Sequence, residues 1–142
     1  MLIGEYTHTI DSKNRLSLPS KFKKEMGKTV VVTRGLDKCL SVYTKSGWQK
    51  ISEKLSSLSI SKTEERAFNR FMLSGATEVS VDSMGRVLIP EYLKEFGSLD
   101  KKVVWTGMGE KAELWDEKKW AKYIAQTNKD PESIAESLDG LI

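Results

Sequence analysis

The chain has 142 residues, 39% of them hydrophobic and 30% charged, with a net charge of +3, one cysteine (Cys39) and one histidine (His8). That composition can bury a core beneath a wetted surface, and it excludes an intrachain disulfide and a Cys/His structural zinc. No uncharged apolar run outlasts the few residues of Thr29–Thr33, so neither a membrane span nor a signal-peptide core is expected.

In chain order the first elements are a strand ending near His8, a turn at Asp11–Arg15 and a resumed strand. Pro19 then opens a short helix carrying Phe22 and Met26 on one face and closed by Gly27. Strands are expected at Thr29–Thr33 and Cys39–Tyr43. Thr44 is a candidate N-cap for a helix whose Trp48, Ile51, Leu55 and Leu58 recur at helical spacing. A connecting helix is expected from Ser61 to Ser74, ended by Gly75, with Ala67, Phe68, Phe71 and Met72 apolar.

The order then repeats. At a shift of 71, Gly4 meets Gly75, Asp11 meets Asp82, Ser12 meets Ser83, Arg15 meets Arg86, Pro19 meets Pro90 and Phe22 meets Leu93. At 72, Val31-Val32 meet Val103-Val104, Gly35 meets Gly107 and Trp48 meets Trp120; the one-residue drift falls in a turn-rich stretch where an insertion costs little. In the second copy Glu78–Val81, the turn Asp82–Gly85 and Arg86–Ile89 read as a β-hairpin. Gly85 tolerates φ > 0, and its counterpart Asn14 is the non-glycine residue that does so best, so both copies can make one turn. A Pro90 helix with Leu93 and Phe96 follows, ended by Gly97, then strands at Lys102–Thr106 and Ala112–Trp115. Asp116 caps a helix bearing Trp120, Tyr123 and Ile124, and Asp130-Pro131 opens a last one expected to turn Ile134, Leu138 and Leu141 inward.

The fold class is therefore α+β: two tandem β-β-α-β-β repeats, each too small to bury much alone, interlocked into one pseudo-twofold swapped-hairpin β-barrel with peripheral helices. The expected division is a first repeat at 1–60, the connecting helix at 61–74, a second repeat at 75–128 and a C-terminal helix at 129–142. Charge is uneven across it. Residues 1–60 hold 11 Lys/Arg against 5 Asp/Glu, whereas 129–142 hold 1 against 4. Six of the basic residues, Lys13, Arg15, Lys21, Lys23, Lys24 and Lys28, lie within 13–28, where Glu25 is the one acid, so a polyanion is a candidate partner.

The pseudo-twofold would place the two Asp-to-Arg turns in related positions and present two guanidiniums, whose planar forks match phosphate or guanine. The competing reading is structural: Asp and Arg four apart form a surface ion pair that steadies the turn. His8 is read as a structural histidine, Cys39 as a small core residue, and Trp48, Trp105, Trp115 and Trp120 as core or interface rather than base-stacking platforms. Arg66 and Arg70, one helical turn apart, are open between backbone contact and solvated surface. No GxSxG, HExxH or GxxxxGK[ST] motif occurs, so no enzyme and no cofactor is expected; a small hydrolase would depend on His8 alone.

At Gly4-Glu5-Tyr6, Asp11-Ser12-Lys13-Asn14-Arg15, Arg34-Gly35-Leu36-Asp37-Lys38-Cys39-Leu40, Ser74-Gly75-Ala76-Thr77-Glu78 and Asp82-Ser83-Met84-Gly85-Arg86 the chain resembles the MraZ family, from Met1 to about Trp120. MraZ proteins are similar in fold to AbrB-type swapped-hairpin transcription factors. The resemblance implies a cytoplasmic, nucleoid-associated DNA-binding regulator that acts on tandem G-containing boxes in the promoter of its own division and cell-wall gene cluster. It also implies assembly into a ring-shaped homo-oligomer. Carried over by position, double-stranded DNA would be met by Arg15 and Arg86, helped by Lys13 and Lys21, with Asp11, Asn14, Asp82 and Gly85 setting the turns. Met84 stands where the first motif has Lys13, which makes the two turns unequal. An oligomeric scaffold for cell-division proteins is the alternative.

Overall fold

Runs of β-branched residues too short to stand alone must find partners elsewhere in the chain, and here each strand finds at least one of them in the other repeat. The computed structural model describes residues 1–141. The strands are β1 (Glu5–Thr9), β2 (Arg15–Ser17), β3 (Thr29–Arg34), β4 (Leu40–Thr44), β5 (Thr77–Ser80), β6 (Arg86–Leu88), β7 (Lys102–Gly107) and β8 (Lys111–Asp116). The helices are α1 (Lys23–Met26), entered through a 3-10 turn at Ser20–Phe22, α2 (Lys45–Ser56), α3 (Thr63–Gly75), α4 (Glu91–Phe96), α5 (Glu117–Lys129) and α6 (Pro131–Ser137).

Six strands form one antiparallel sheet in the order β1-β7-β8-β4-β3-β5, and β2 with β6 makes a separate two-stranded ribbon. Exchanging the repeats turns this order into its own reverse, the signature of a pseudo-twofold between β4 and β8. Hydrogen bonds outside the ladders obey it too: Ile10 N–H donates to Lys101 O and Val81 N–H to Lys28 O, while Leu18 N–H donates to Gly85 O and Ile89 N–H to Asn14 O.

Two expectations need correction. Glu78–Val81 and Arg86–Ile89 are not a hairpin: past the turn they part, β5 pairing with β3 and β6 with β2, all across the repeat boundary. The reason lies at the middle rung of the ribbon, Leu16 opposite Val87, where both side chains enter the core (0% and 1% exposed); pairing within a repeat would separate them. The sheet is also not a closed barrel, because no ladder joins its edge strands β1 and β5 among the described residues. Each edge strand instead runs into the turn that feeds the ribbon.

The repeats share one core, to which the first gives Leu16, Leu18, Phe22 and Val30 and the second gives Val87, Ile89, Leu93 and Trp105, each at most 1% exposed. Trp105 Nε1 donates to Ser17 O at 3.1 Å, which satisfies the indole in the core and ties it to the ribbon. The short helices α1 and α4 hold by inserting Phe22, Met26 and Leu93 rather than by their own helicity. A second cluster, Val31, Tyr43, Leu55 and Met72, fixes α2 and α3 on the other face of β3 and β4.

The caps are where the side-chain chemistry places them. Thr44 Oγ1 accepts from Gly47 N–H, Asp116 from Lys119 N–H and Asp130 from Ser133 N–H. The buried inner face expected for α6 is not formed: Ile134 is 48% and Leu141, past the end of the helix, 80% exposed, and Ile134 borders an open cleft with Trp115, Tyr123 and Gln126 instead of entering the core. Among the described residues no helix is long and apolar enough to cross a membrane.

Candidate nucleic-acid interface

Each turn is closed by its own aspartate. Asp11 N–H donates to Arg15 O and Asn14 N–H to Asp11 O; in the second copy Asp82 N–H donates to Arg86 O and Gly85 N–H to Asp82 O. Oδ1 of Asp11 accepts the backbone N–H groups of Lys13 and Arg15 at 2.9 Å each, and Oδ2 accepts Arg15 Nε at 2.8 Å. Asp82 repeats this with Met84 and Arg86 at 2.9 and 2.8 Å, and with Arg86 Nε at 2.9 Å. The backbone N–H donated by Arg15 or Arg86 is the main cause that lowers each carboxyl below its ordinary value. Asn14 and Gly85 adopt φ of 61° and 77°, the left-handed conformation that lets each chain reverse.

The Asp–Arg ion pair weighed as the structural reading thus exists in both copies, yet it occupies only Nε. Among the described residues the Nη groups of Arg15 and Arg86 have no protein acceptor, so each fork keeps its outer edge free. The ladder register decides where the forks sit. Arg15 pairs with Leu88 and Ser17 with Arg86, on the opposite face from the buried Leu16–Val87 rung. Residues directly across a ladder share a face, so Arg15 and Arg86 lie diagonally on one outer face of a two-stranded ribbon. Such a ribbon is of a size that enters a DNA major groove.

The other two expected cations are exposed. Lys13 is exposed at the tip of the first turn, and Lys21 is exposed in the 3-10 turn that follows β2. Two lysines, Lys23 of the basic run and Lys94, which the sequence reading did not single out, flank the turns from the opposite repeat. Lys94 Nζ donates to Asn14 Oδ1 at 3.0 Å, while Asn14 Nδ2 donates to Glu91 Oε2 at 2.8 Å, so α4 braces the first turn. Lys23 lies across the second turn, where a Cβ added at Gly85 would meet its Cε at 2.6 Å. The missed signal was that Lys23 and Lys94 also correspond at a shift of 71, each four residues past its proline.

This architecture, one fused body presenting twin Asp-to-Arg turns, can be set against known proteins. The model of the family described as "MraZ protein, putative antitoxin-like" matches the chain twice, at residues 1–71 and 72–139. The chain belongs to the MraZ family. It is 46% identical over 139 residues to the "Transcriptional regulator MraZ" of Caldanaerobacter subterraneus subsp. tengcongensis, covering 98% of this chain and 97% of that protein. It is 44% identical to the protein of the same name from Moorella thermoacetica, covering 97% and 96%, and 42% identical to that from Desulforamulus reducens over the full length of both. The doubled match to the MraZ model agrees with the tandem repeats that the sheet interleaves.

Burial, then the charge of Lys23, lowers the His8 pKa. Cys39 is buried, its Sγ faces Leu36 O at 3.2 Å, and burial pushes its thiol up to about 12, which makes it an inert core group. Trp105 and Trp115 are core residues, Trp48 packs on Tyr43, and Trp120 lies against Trp115 and Tyr123. Arg66 is spent on the α2–α3 connection, donating to Ile60 O at 2.7 Å.

Proposed function

We propose that the chain is a sequence-specific, DNA-binding transcriptional regulator that inserts the outer face of the β2–β6 ribbon into the major groove. Arg15 and Arg86 contact guanine or phosphate through their free Nη groups, while Lys13 and Lys21 add sequence-independent attraction to the backbone. Asp11, Asn14, Asp82 and Gly85 hold the forks in place. The observation that carries this reading is the pair of guanidiniums, each anchored at Nε and open at Nη, on one exposed face.

The same reading takes the targets to be tandem G-containing boxes in the promoter of the protein's own division and cell-wall cluster, met in the cytoplasm at the nucleoid. It takes the working form to be a ring-shaped homo-oligomer. One subunit with two forks binds weakly; adjacent subunits on successive boxes gain about 10²–10⁴-fold in avidity where the spacing fits. The first repeat, the more basic, and the second contribute unequal turns to each contact.

The decisive experiment is promoter binding by the Arg15→Ala, Arg86→Ala double variant, followed at two salt concentrations. Two lost bidentate contacts predict a loss of at least about 30-fold, with the melting temperature within about 2 °C of the parent. Unfolding of the variant, or undiminished binding, would show the turns to be structural only.

A further inference from the structure

The ribbon's outer face carries more than cations. Leu88 is the direct ladder partner of Arg15 and is 54% exposed, whereas Leu16 and Val87 on the opposite face are buried. Met84 is 67% exposed at the tip of the second turn, two residues before Arg86 and in the position that Lys13 holds in the first. Each guanidinium fork therefore has one large apolar side chain exposed beside it. Isolated apolar residues on a surface are ordinary; what singles these two out is that they flank the only two forks of the twin turns.

In the major groove a fork that takes guanine O6 and N7 leaves its neighbour to meet the next base pair, and the one apolar group displayed there is the thymine 5-methyl. Leu88 offers no donor or acceptor, and Met84 only a weakly accepting thioether, so neither can make a strong hydrogen bond to a base edge. Both can gain by covering a methyl group. We propose that Leu88 and Met84 read the thymine 5-methyl adjacent to each guanine held by Arg15 and Arg86, so that the protein selects G next to T rather than G alone. This rests on the DNA reading above and gives it a specificity that the arginines cannot supply. It also explains a use for the departure at Met84: the first turn carries a cation for the backbone, the second an apolar group for a base.

The test removes only the methyl. Duplexes enriched by the full-length protein from a randomised 30-base-pair pool would be resynthesised with deoxyuridine in place of each thymine in turn. The expected result is a loss of about fourfold at one or more thymines beside guanine, the worth of one buried methyl-sized group. That loss should shrink toward unity in Met84→Ala or Leu88→Ala, whose exposed positions leave the fold unchanged. Enriched duplexes that bind with no deoxyuridine effect, or with an effect untouched by both variants, would overturn the inference while leaving DNA binding by the arginines intact. Failure to enrich any sequence would overturn both together.

Discussion

The two Asp-to-Arg turns share every backbone hydrogen bond and differ in what surrounds them. Around the first, Asn14 is gripped by Glu91 and Lys94 of α4; around the second, Gly85 has no side chain to grip and Lys23 lies across it. The comparison separates two levels of control. A carboxylate that accepts two N–H groups and an Nε shapes the loop within five residues, while the chemistry bordering the loop is supplied by the other repeat. Geometry is local and environment is borrowed.

The largest test of that division strikes the rung beneath both turns. Leu16→Ala should destabilise the protein by about 2–4 kcal/mol in denaturant unfolding, because a 0%-exposed side chain leaves a cavity at the pseudo-twofold. Val87→Ala should cost less, having less to remove. If Leu16→Ala unfolds only the first repeat and leaves the second cooperative, the shared core is not a single unit.

Next in size are the left-handed positions. Asn14→Ala and Gly85→Ala place an ordinary Cβ at φ of 61° and 77° and should each cost about 1–2 kcal/mol, whereas Asn14→Gly should cost less. Gly85→Ala additionally has to push Lys23 aside. An Asn14→Ala penalty that vanishes when Glu91 and Lys94 are removed would locate the strain in the brace rather than the backbone.

Exchanging the turn tips is subtler. Lys13→Met should reduce the slope of log K against log salt by about one, and Met84→Lys should raise it by as much, since each phosphate contact releases about one counterion. Equal slopes in parent and both variants would mean that neither tip reaches the backbone.

The smallest effect is on acid stability. Asp11 and Asp82 titrate below the ordinary 3.8 because the folded turns donate to their carboxylates. A lowered folded value means that their stabilisation is complete above the ordinary value and is lost as pH falls through the lowered one. Carboxyl chemical shifts followed by NMR should therefore show both turns ionised well into the acid limb. Asp11→Asn and Asp82→Asn should abolish that limb's contribution. A normal titration at either residue would contradict the turn geometry.

Much of this was readable in residues that act on near neighbours. Thr44, Asp116 and Asp130 announce their helices because a cap needs only an oxygen three residues before an N–H, and Asn14 and Gly85 announce a reversal because few residues tolerate it. Pairing across the repeats was legible in outline through the shift of 71, but the register was not. A hairpin is the natural reading of two strands about a tight turn, and only the burial of Leu16 against Val87 favours the exchange. The brace from Glu91 and Lys94 to Asn14 spans 77 and 80 residues, beyond any local pattern. The last helix misled for the opposite reason: the apolar period through Ile134 and Leu141 suits a core, whereas Ile134 meets an open cleft beside α5 and Leu141 lies past the helix end.

The exchange of strands also sets a timetable for biogenesis. Strand β1 leaves the ribosome early, yet its lateral partner β7 ends at Gly107, so at ~5–20 residues per second it waits roughly 5–20 s with an unpaired edge. During that interval β2 lacks β6 and β4 lacks β8. Nascent chains on one polysome hold the same open edges side by side, and each can accept the second half of its neighbour in place of its own. A copy that closes on itself and one that closes on its neighbour would use the same ladders.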